Sequence, residues 1–342
     1  MAKINTKKNA DKPKCISVGG QAVMEGVMMQ GPEKVAMAVR RTDGKVALTV
    51  KPVKKLTDKY PILGWPIIRG VVNFVAQLAT GMKMLMQSAE MAGMEEEEPS
   101  EFEKKVAAFL HMKTDDVMMV CAVILAVVMM VGLFFVIPTG VEALLKMVVD
   151  NKFVLNLAGG LLRMGMFLAY VALVSKTKEI RRVFQYHGAE HKSIYCFEAG
   201  KELTVENAQT FTTLHPRCGT SFLVIVFTIS ILIFTFLGTD SGNVFLRVGS
   251  RLLLLPVTAG VSYEILKWLG RAEETPIVKA LKWPGLMMQK LTTKQPEDGM
   301  VEVALIALKA ALGMEDALPK ELDPDYVPEE SEQPEENEAA GE

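Results

Sequence analysis

The segment Phe184-Gln-Tyr-His-Gly-Ala-Glu-His-Lys192 sets His187 and His191 four residues apart. On a helix, side chains at i and i+4 leave the same face one turn apart, close enough for two imidazoles to share one metal ion. Glu190 stands between them. Its carboxylate reaches the same site as a general base, or as a hydrogen-bond partner that orients a ligand. The order H-x-x-E-H is that of the inverted zinc peptidases. A second cluster, Thr213-Leu-His-Pro-Arg-Cys-Gly-Thr-Ser221, adds His215 and Cys218, both good zinc ligands. Pro216 ends any preceding helix, so these two sit at a turn. The motif alone is weak, and a hydrogen-bonded histidine pair is the plain alternative. Concentration favours the metal: three of the four histidines fall between positions 187 and 215. His111 stands apart and reads as a surface histidine.

Two kinds of site follow from these residues. A catalytic centre takes three protein ligands and leaves one position for water. His187, His191 and one of His215, Cys218 or Glu264 would serve, with Glu190 as base. A structural centre closes with His187, His191, His215 and Cys218. Glu190 favours catalysis, because a structural centre has no use for it. The expected cofactor is a divalent metal, zinc first.

The elements that must hold these residues are apolar. Half of the 342 residues are hydrophobic and the net charge is −2. The apolar residues come in long runs, and a bilayer core needs about 20 per helical span. Four segments read as spans: Val117–Ile137, Phe153–Ser175, Ser221–Leu237 and about Phe245–Leu269. Lys and Arg crowd the ends that flank residues 176–220 and both termini, and are sparse in 138–152 and 238–245. The positive-inside rule then puts both termini and the histidine loop 176–220 in the cytoplasm of a multi-pass cell-membrane protein. Membrane lipids are its expected partners; nucleic acid is not. Arg163 falls within the second span and Arg251 within the fourth. A midplane arginine costs at least ~2.5 kcal/mol and is seldom idle. Glu264, Glu142, backbone carbonyls, water or a headgroup could answer Arg163, and a polar cavity opening toward the histidines is expected.

The remaining segments flank this bundle. Residues 1–14 are polar, read as disordered, and carry no signal-peptide pattern. Cys15, Cys121, Cys196 and Cys218 form no CxxC pair and read as reduced thiols. Residues 15–60 read as a glycine-rich loop without a GxGxxG or Walker pattern, then a small β region. There, Val35–Val39 and Lys45–Val50 meet at an Asp43-Gly44 turn. Residues 61–95 read as an amphipathic helix with a stripe of Arg69, Asn73, Gln77, Thr80, Lys83, Gln87 and Glu90. It lies in the membrane interface or, second, packs with its stripe toward a wet cavity. Residues 270–314 read as cytosolic helices, ending in a short amphipathic one at Met300–Leu312. Residues 315–342 form an acidic tail too poor in apolar residues to fold. The fold class is mainly α: a polytopic membrane helix bundle of about four spans, with a small N-terminal β-hairpin region and an interfacial amphipathic helix.

Three segments together, Val18–Pro32, His187-Gly-Ala-Glu-His-Lys192 and His215-Pro-Arg-Cys-Gly-Thr-Ser-Phe222, resemble the YqhQ-like family. These are bacterial multi-spanning membrane proteins of unknown function, commonly labelled predicted metal-dependent enzymes. The resemblance runs from about Ser17 to Met314. It implies that the N-terminal run belongs to the site, with Gln21 and Glu25 as candidates. Glu25 would be a ligand, or a partner of His187 or His191; alternatively it caps a helix. No substrate is implied. The expected function is a membrane-embedded, metal-dependent hydrolase acting on a peptide bond or a lipid-linked ester or phosphate. The rival is a non-enzymatic transporter or assembly factor with a structural metal.

Overall fold

The structure is a computed structural model that describes residues 18–53, 65, 68–93, 104–105, 114–237, 244–273 and 275–314. At 114–116, 118, 119, 244, 245, 247, 248, 251 and 252 it describes the backbone alone. The expectations for the tails 1–14 and 315–342, Cys15, His111 and the Arg251 side chain lie outside the described residues. The described chain is mainly helical, with a small antiparallel sheet at its N-terminal end.

The sheet is a four-stranded meander of β1 (Gly19–Val23), β2 (Gly26–Gln30), β3 (Lys34–Arg40) and β4 (Val46–Pro52). The expected hairpin is its second half, and its turn forms at Asp43-Gly44, where Gly44 takes φ +84° and Asp43 Oδ1 accepts from Lys45 N at 3.0 Å. The run read as a glycine-rich loop is instead β1 and β2, paired from Gly19↔Gln30 to Val23↔Gly26. Periodicity hid these strands because the sheet is covered on both faces, so inward residues occur at every position rather than at alternate ones.

One face of the sheet carries Val27, Met29, Ala36, Ala38 and Leu48. It packs on α5 (Lys178–Glu198) and α10 (Asp298–Ala311). The other carries Val23, Met28, Met37, Val39 and Ala47, and packs on the C-terminal end of α1 (Ile68–Met91). Helix α10 is apolar nearly all round and is buried at most positions from Met300 to Ala311. The helix expected at Met300–Leu312 is thus present, and it forms the core of this unit.

The second region is built from α2 (Thr114–Val131), a π-helical turn (Gly132–Val136), α3 (Ile137–Leu145), α4 (Lys152–Val174), α7 (Thr220–Leu237), α8 (Val244–Leu269) and α9 (Pro276–Thr292). A short α6 (Val205–Gln209) lies between α5 and α7. Helix α7 packs against α4, α8 and α9. Among the described residues, two stretches are long and apolar enough to cross a membrane: Val120–Leu145 and Lys152–Val174. The first has 26 residues and so is about 39 Å long, against a hydrocarbon core of ~30 Å. Few of their residues are fully buried: 0% of the most apolar part of the first and 11% of that of the second. Of the other two expected spans, α7 is apolar but shorter, and α8 carries Arg247, Arg251, Glu264, Lys267 and an internal proline, Pro256.

Residues 138–145, expected as part of a loop, continue the helix beyond the π turn. Glu142 is therefore on the same rod as the first apolar stretch, and its Oε1 accepts from Arg163 at 2.8 Å, seated over Gly159. Arg163 is answered by a buried carboxylate within the helix layer. Part of the stripe on α1 turns toward the protein, whereas Gln77, Thr80, Lys83 and Glu90 are exposed. Arg69 donates to both carboxylate oxygens of Glu264 at 2.7 and 2.5 Å, and Asn73 donates to the Tyr263 hydroxyl at 3.0 Å. Val75, Leu78, Met82 and Met86 face outward. The helix follows neither expected placement whole: Arg69, Asn73 and Gln87 turn to the protein, and the rest of the stripe is exposed.

Candidate metal centre

Helix α5 buries His187, Glu190, His191 and Lys192 in succession. Burying polar groups is costly unless each finds a partner, and three of the four do. Lys192 Nζ donates to the carbonyls of Gln209 and Phe211 at 2.8 and 2.6 Å, tying the α6 loop to α5. His187 Nδ1 lies 2.8 Å from the Thr292 carbonyl, and His191 Nδ1 lies 2.5 Å from the Thr213 carbonyl. A carbonyl only accepts, so each Nδ1 carries the proton and each Nε2 presents a lone pair. Gly188 makes the first contact possible: the Lys294 carbonyl lies where a side chain at 188 would start, so the chain after α9 runs directly against α5.

The two Nε2 atoms turn toward Cys218, at the root of α7. His187 Nε2 is 3.2 Å from Cys218 Sγ, and the imidazole rings of His187 and His191 stand 4.4 Å apart. His191 Nε2 is buried and has no hydrogen-bond partner among the described residues. The ligand atoms of His187, His191 and Cys218 all lie within 4.8 Å of one another. A tetrahedral zinc ion with bonds of 2.0–2.3 Å separates its donors by about 3.3–3.8 Å. Small side-chain rotations close the difference, so the donor set fits such an ion. Burial lowers the His191 pKa, which keeps the imidazole in its ligating neutral form. Carbonyl-oriented imidazoles are the usual outer support of a metal site.

His215 faces elsewhere. Its Nδ1 accepts from Arg217 N at 3.3 Å, which leaves the proton on Nε2, 3.4 Å from Glu198 Oε2. Arg217 pairs with the same carboxylate. The backbone of His215 is clamped by Gln289, whose Oε1 accepts from His215 N at 2.7 Å and whose Nε2 donates to His215 O at 2.8 Å. His215 thus shapes the turn that delivers Cys218, with its ring 5.6 Å from that of His191.

Glu190 is buried, and its carboxyl has no hydrogen-bond partner among the described residues. Desolvation raises its pKa, opposed by the nearby His187 and His215. It lies directly beneath Gly20 of β1: a Cβ at position 20 would come within 2.8 Å of the Glu190 side chain. Strand alternation then points Gln21 the other way, against Gly81 of α1. Glu25 is not beside the histidines. It sits in the β1–β2 turn at φ +49°, bound by Arg182 through both oxygens, with the Tyr186 hydroxyl donating at 3.4 Å. Glu264 is taken by Arg69. The N-terminal run therefore reaches the site through Gly20, a residue whose importance lies in having no side chain. The supporting groups that sequence reasoning missed are mostly backbone: the Thr292 and Thr213 carbonyls, and with them the Gln289 clamp.

Residues 65–314 match the family model described as "Protein of unknown function (DUF1385)". The chain belongs to this family. It is also 37% identical over 305 residues to "Uncharacterized protein YqhQ" of Bacillus subtilis, covering 87% of this chain and 92% of that protein. No solved structure matches it. The matched region holds the whole donor set, Glu190 and both candidate membrane stretches, whereas Gly20 lies before it.

Proposed function

We propose that the chain is a membrane-bound, metal-dependent hydrolase whose centre is His187, His191 and Cys218, with Glu190 as general base. The observation that carries this reading is the division of labour among four candidate ligands. Three donors converge while His215 is engaged by Arg217 and Glu198, leaving one tetrahedral position beside a buried carboxyl without a hydrogen bond. Three protein ligands and an open position are the signature of catalytic rather than structural zinc. A divalent ion held by His187, His191 and Cys218 would supply Lewis acidity and make water easier to deprotonate. Glu190 accepts the water proton at its carboxylate and returns it to the leaving group. Burial suits that role, because a carboxyl held above its ordinary range transfers protons near neutrality.

The two long apolar stretches are spans in this reading, and α7 and α8 complete a four-span bundle. The cations that flank α5 and α9 set the metal centre on the cytosolic side. The test is metal analysis of the purified chain beside His187→Ala and Glu190→Gln. Wild type should hold about one zinc per chain, the count of a single-ion site. His187→Ala should lose it, and Glu190→Gln should keep it while losing hydrolysis of ester and phospholipid reporters. A metal-free wild type would overturn the reading. Metal retained with His215 as a fourth ligand would favour the non-enzymatic, structural centre.

A further inference from the structure

Helix α9 presents two neighbouring faces. Gly285, Gln289 and Thr292 face the metal centre: Gly285 packs on Ser221, Gln289 clamps His215, and the Thr292 carbonyl orients His187. Pro284, Met287, Met288 and Leu291, at helical spacing, face a cavity of about 330 Å³. Its other walls are Met164, Phe167 and Leu168 of α4, and Val224 and Phe227 of α7. Val224 is six residues beyond Cys218 on the chain that leaves the centre. Leu291 adjoins Thr292 on α9, so the cavity is lined by the same two helices, α7 and α9, that lead away from the donor set.

Its lining selects the occupant. Every lining side chain is apolar, and Trp283 alone brings a hydrogen-bonding group, at the edge, where it is more than half exposed. An extended peptide placed there would leave backbone N–H and C=O groups unpaired, each at a cost of about 1–3 kcal/mol. A hydrocarbon chain has no such groups, and the volume falls in the range of ligand pockets. Indoles favour the headgroup level of a bilayer, which suits Trp283 at the entrance.

We infer that this cavity holds the acyl or prenyl chain of an amphipathic substrate, whose head group is thereby carried to the metal centre. The inference rests on the proposed hydrolase reading and narrows its substrate to the lipid-linked class. Two measurements on the full chain in nanodiscs test it, with Leu168→Trp and Val224→Phe as independent ways to fill the cavity and zinc content as the check on folding. In the first, phosphatidylglycerol with a diazirine on its acyl chain is photolysed and labelled residues are mapped. Label should concentrate on Met164, Phe167, Phe227 and Leu291 and fall severalfold in both variants. Label confined to outward residues such as Val127 and Leu161, unchanged by the variants, would overturn the inference.

In the second, acetohydroxamate and dodecanohydroxamate compete for the metal. Chain-length preference in wild type should exceed that of the filled variants by about tenfold or more, the gain from burying about two methylenes. The bilayer partitions the long probe equally in both proteins, so an equal preference would also overturn the inference. If neither hydroxamate binds while cavity labelling persists, the hydrolase reading fails, and the substrate assignment falls with it.

Discussion

The sheet unit and the helix pair α2–α4 are both rich in apolar residues, and they dispose of them in opposite ways. In the sheet unit, β2, β3 and α10 turn Val27, Met29, Ala38, Val303 and Leu308 into a closed interior. In the pair, Leu125, Met129, Leu144 and Leu173 stay on the outside. The charged groups invert as well. Arg163 and Glu142 are buried against each other in the helix layer, whereas Arg40 and Glu302 pair on the exposed rim of the sheet unit. The first region puts polar groups outside, as water requires; the second leaves apolar side chains outside, which fits the membrane placement proposed above. The candidate centre lies on the seam, with two donors from α5 of the first region and the third from the root of α7 in the second.

The largest test of this contrast is truncation in the closed interior. Leu308→Ala should cost about 2–5 kcal/mol through lost burial and the cavity left behind, read as a lowered Tm of the detergent-solubilised protein. Leu125→Ala, a chemically identical change on an outward face, should cost no more than about 0.5 kcal/mol. Equal losses would erase the distinction. Next is the buried pair. Arg163→Met removes the guanidinium from the buried Glu142 carboxylate and should cost about 3 kcal/mol or more, with Glu142→Gln in the same chain recovering a large part. A double variant no better than the single would show that the pair does not act as a unit.

A smaller and more local effect is expected at the seam. Gly20→Ala sets a Cβ against Glu190 and should lower reporter hydrolysis at least about tenfold, or ~1.4 kcal/mol in the barrier, with zinc content unchanged. Loss of metal instead would mean that β1 supports the donors themselves. The mildest effect concerns pH. Burial holds His191 and His215 below their usual value of 6.5, so the folded chain keeps them neutral while the unfolded chain protonates. Glu190, whose buried carboxyl is held above its usual range, acts with the opposite sign, so the test uses metal-free Glu190→Gln protein. Below about pH 6.5 its unfolded state binds more protons, and its stability should fall as pH drops from there toward the depressed folded values. A Tm that is flat from pH 7 to pH 5 would contradict this.

Much of the centre was legible in the residue order. His187, Glu190 and His191 read as one helical face, and α5 carries them as such. Cys218 read as a ligand at a turn, and it stands with them. The choice between His215 and Cys218 was not legible, because it depends on which way each side chain leaves the turn after Gln289 clamps it. Strands β1 and β2 were hidden by burial on both faces. Glu142 was one of several candidate partners of Arg163, and the sequence did not single it out because residues 138–152 read as a loop, whereas the π turn carries the helix on through Glu142.

Local rules thus sufficed for what depends on neighbours along the chain: the i, i+4 histidines, the Asp43-Gly44 turn, the apolar stretches long enough to cross a bilayer, and the polar stripe of α1. Only the tertiary structure decided what depends on approach between distant segments. It set Gly20 over Glu190, brought Arg69 and Asn73 of α1 onto Glu264 and Tyr263, gave Glu25 to Arg182, and brought the carbonyls of Thr213 and Thr292 to the two imidazoles. Every residue has the same carbonyl, so no pattern of side chains marks the two that orient the histidines. Their selection is a property of how α5 meets the chain after α9.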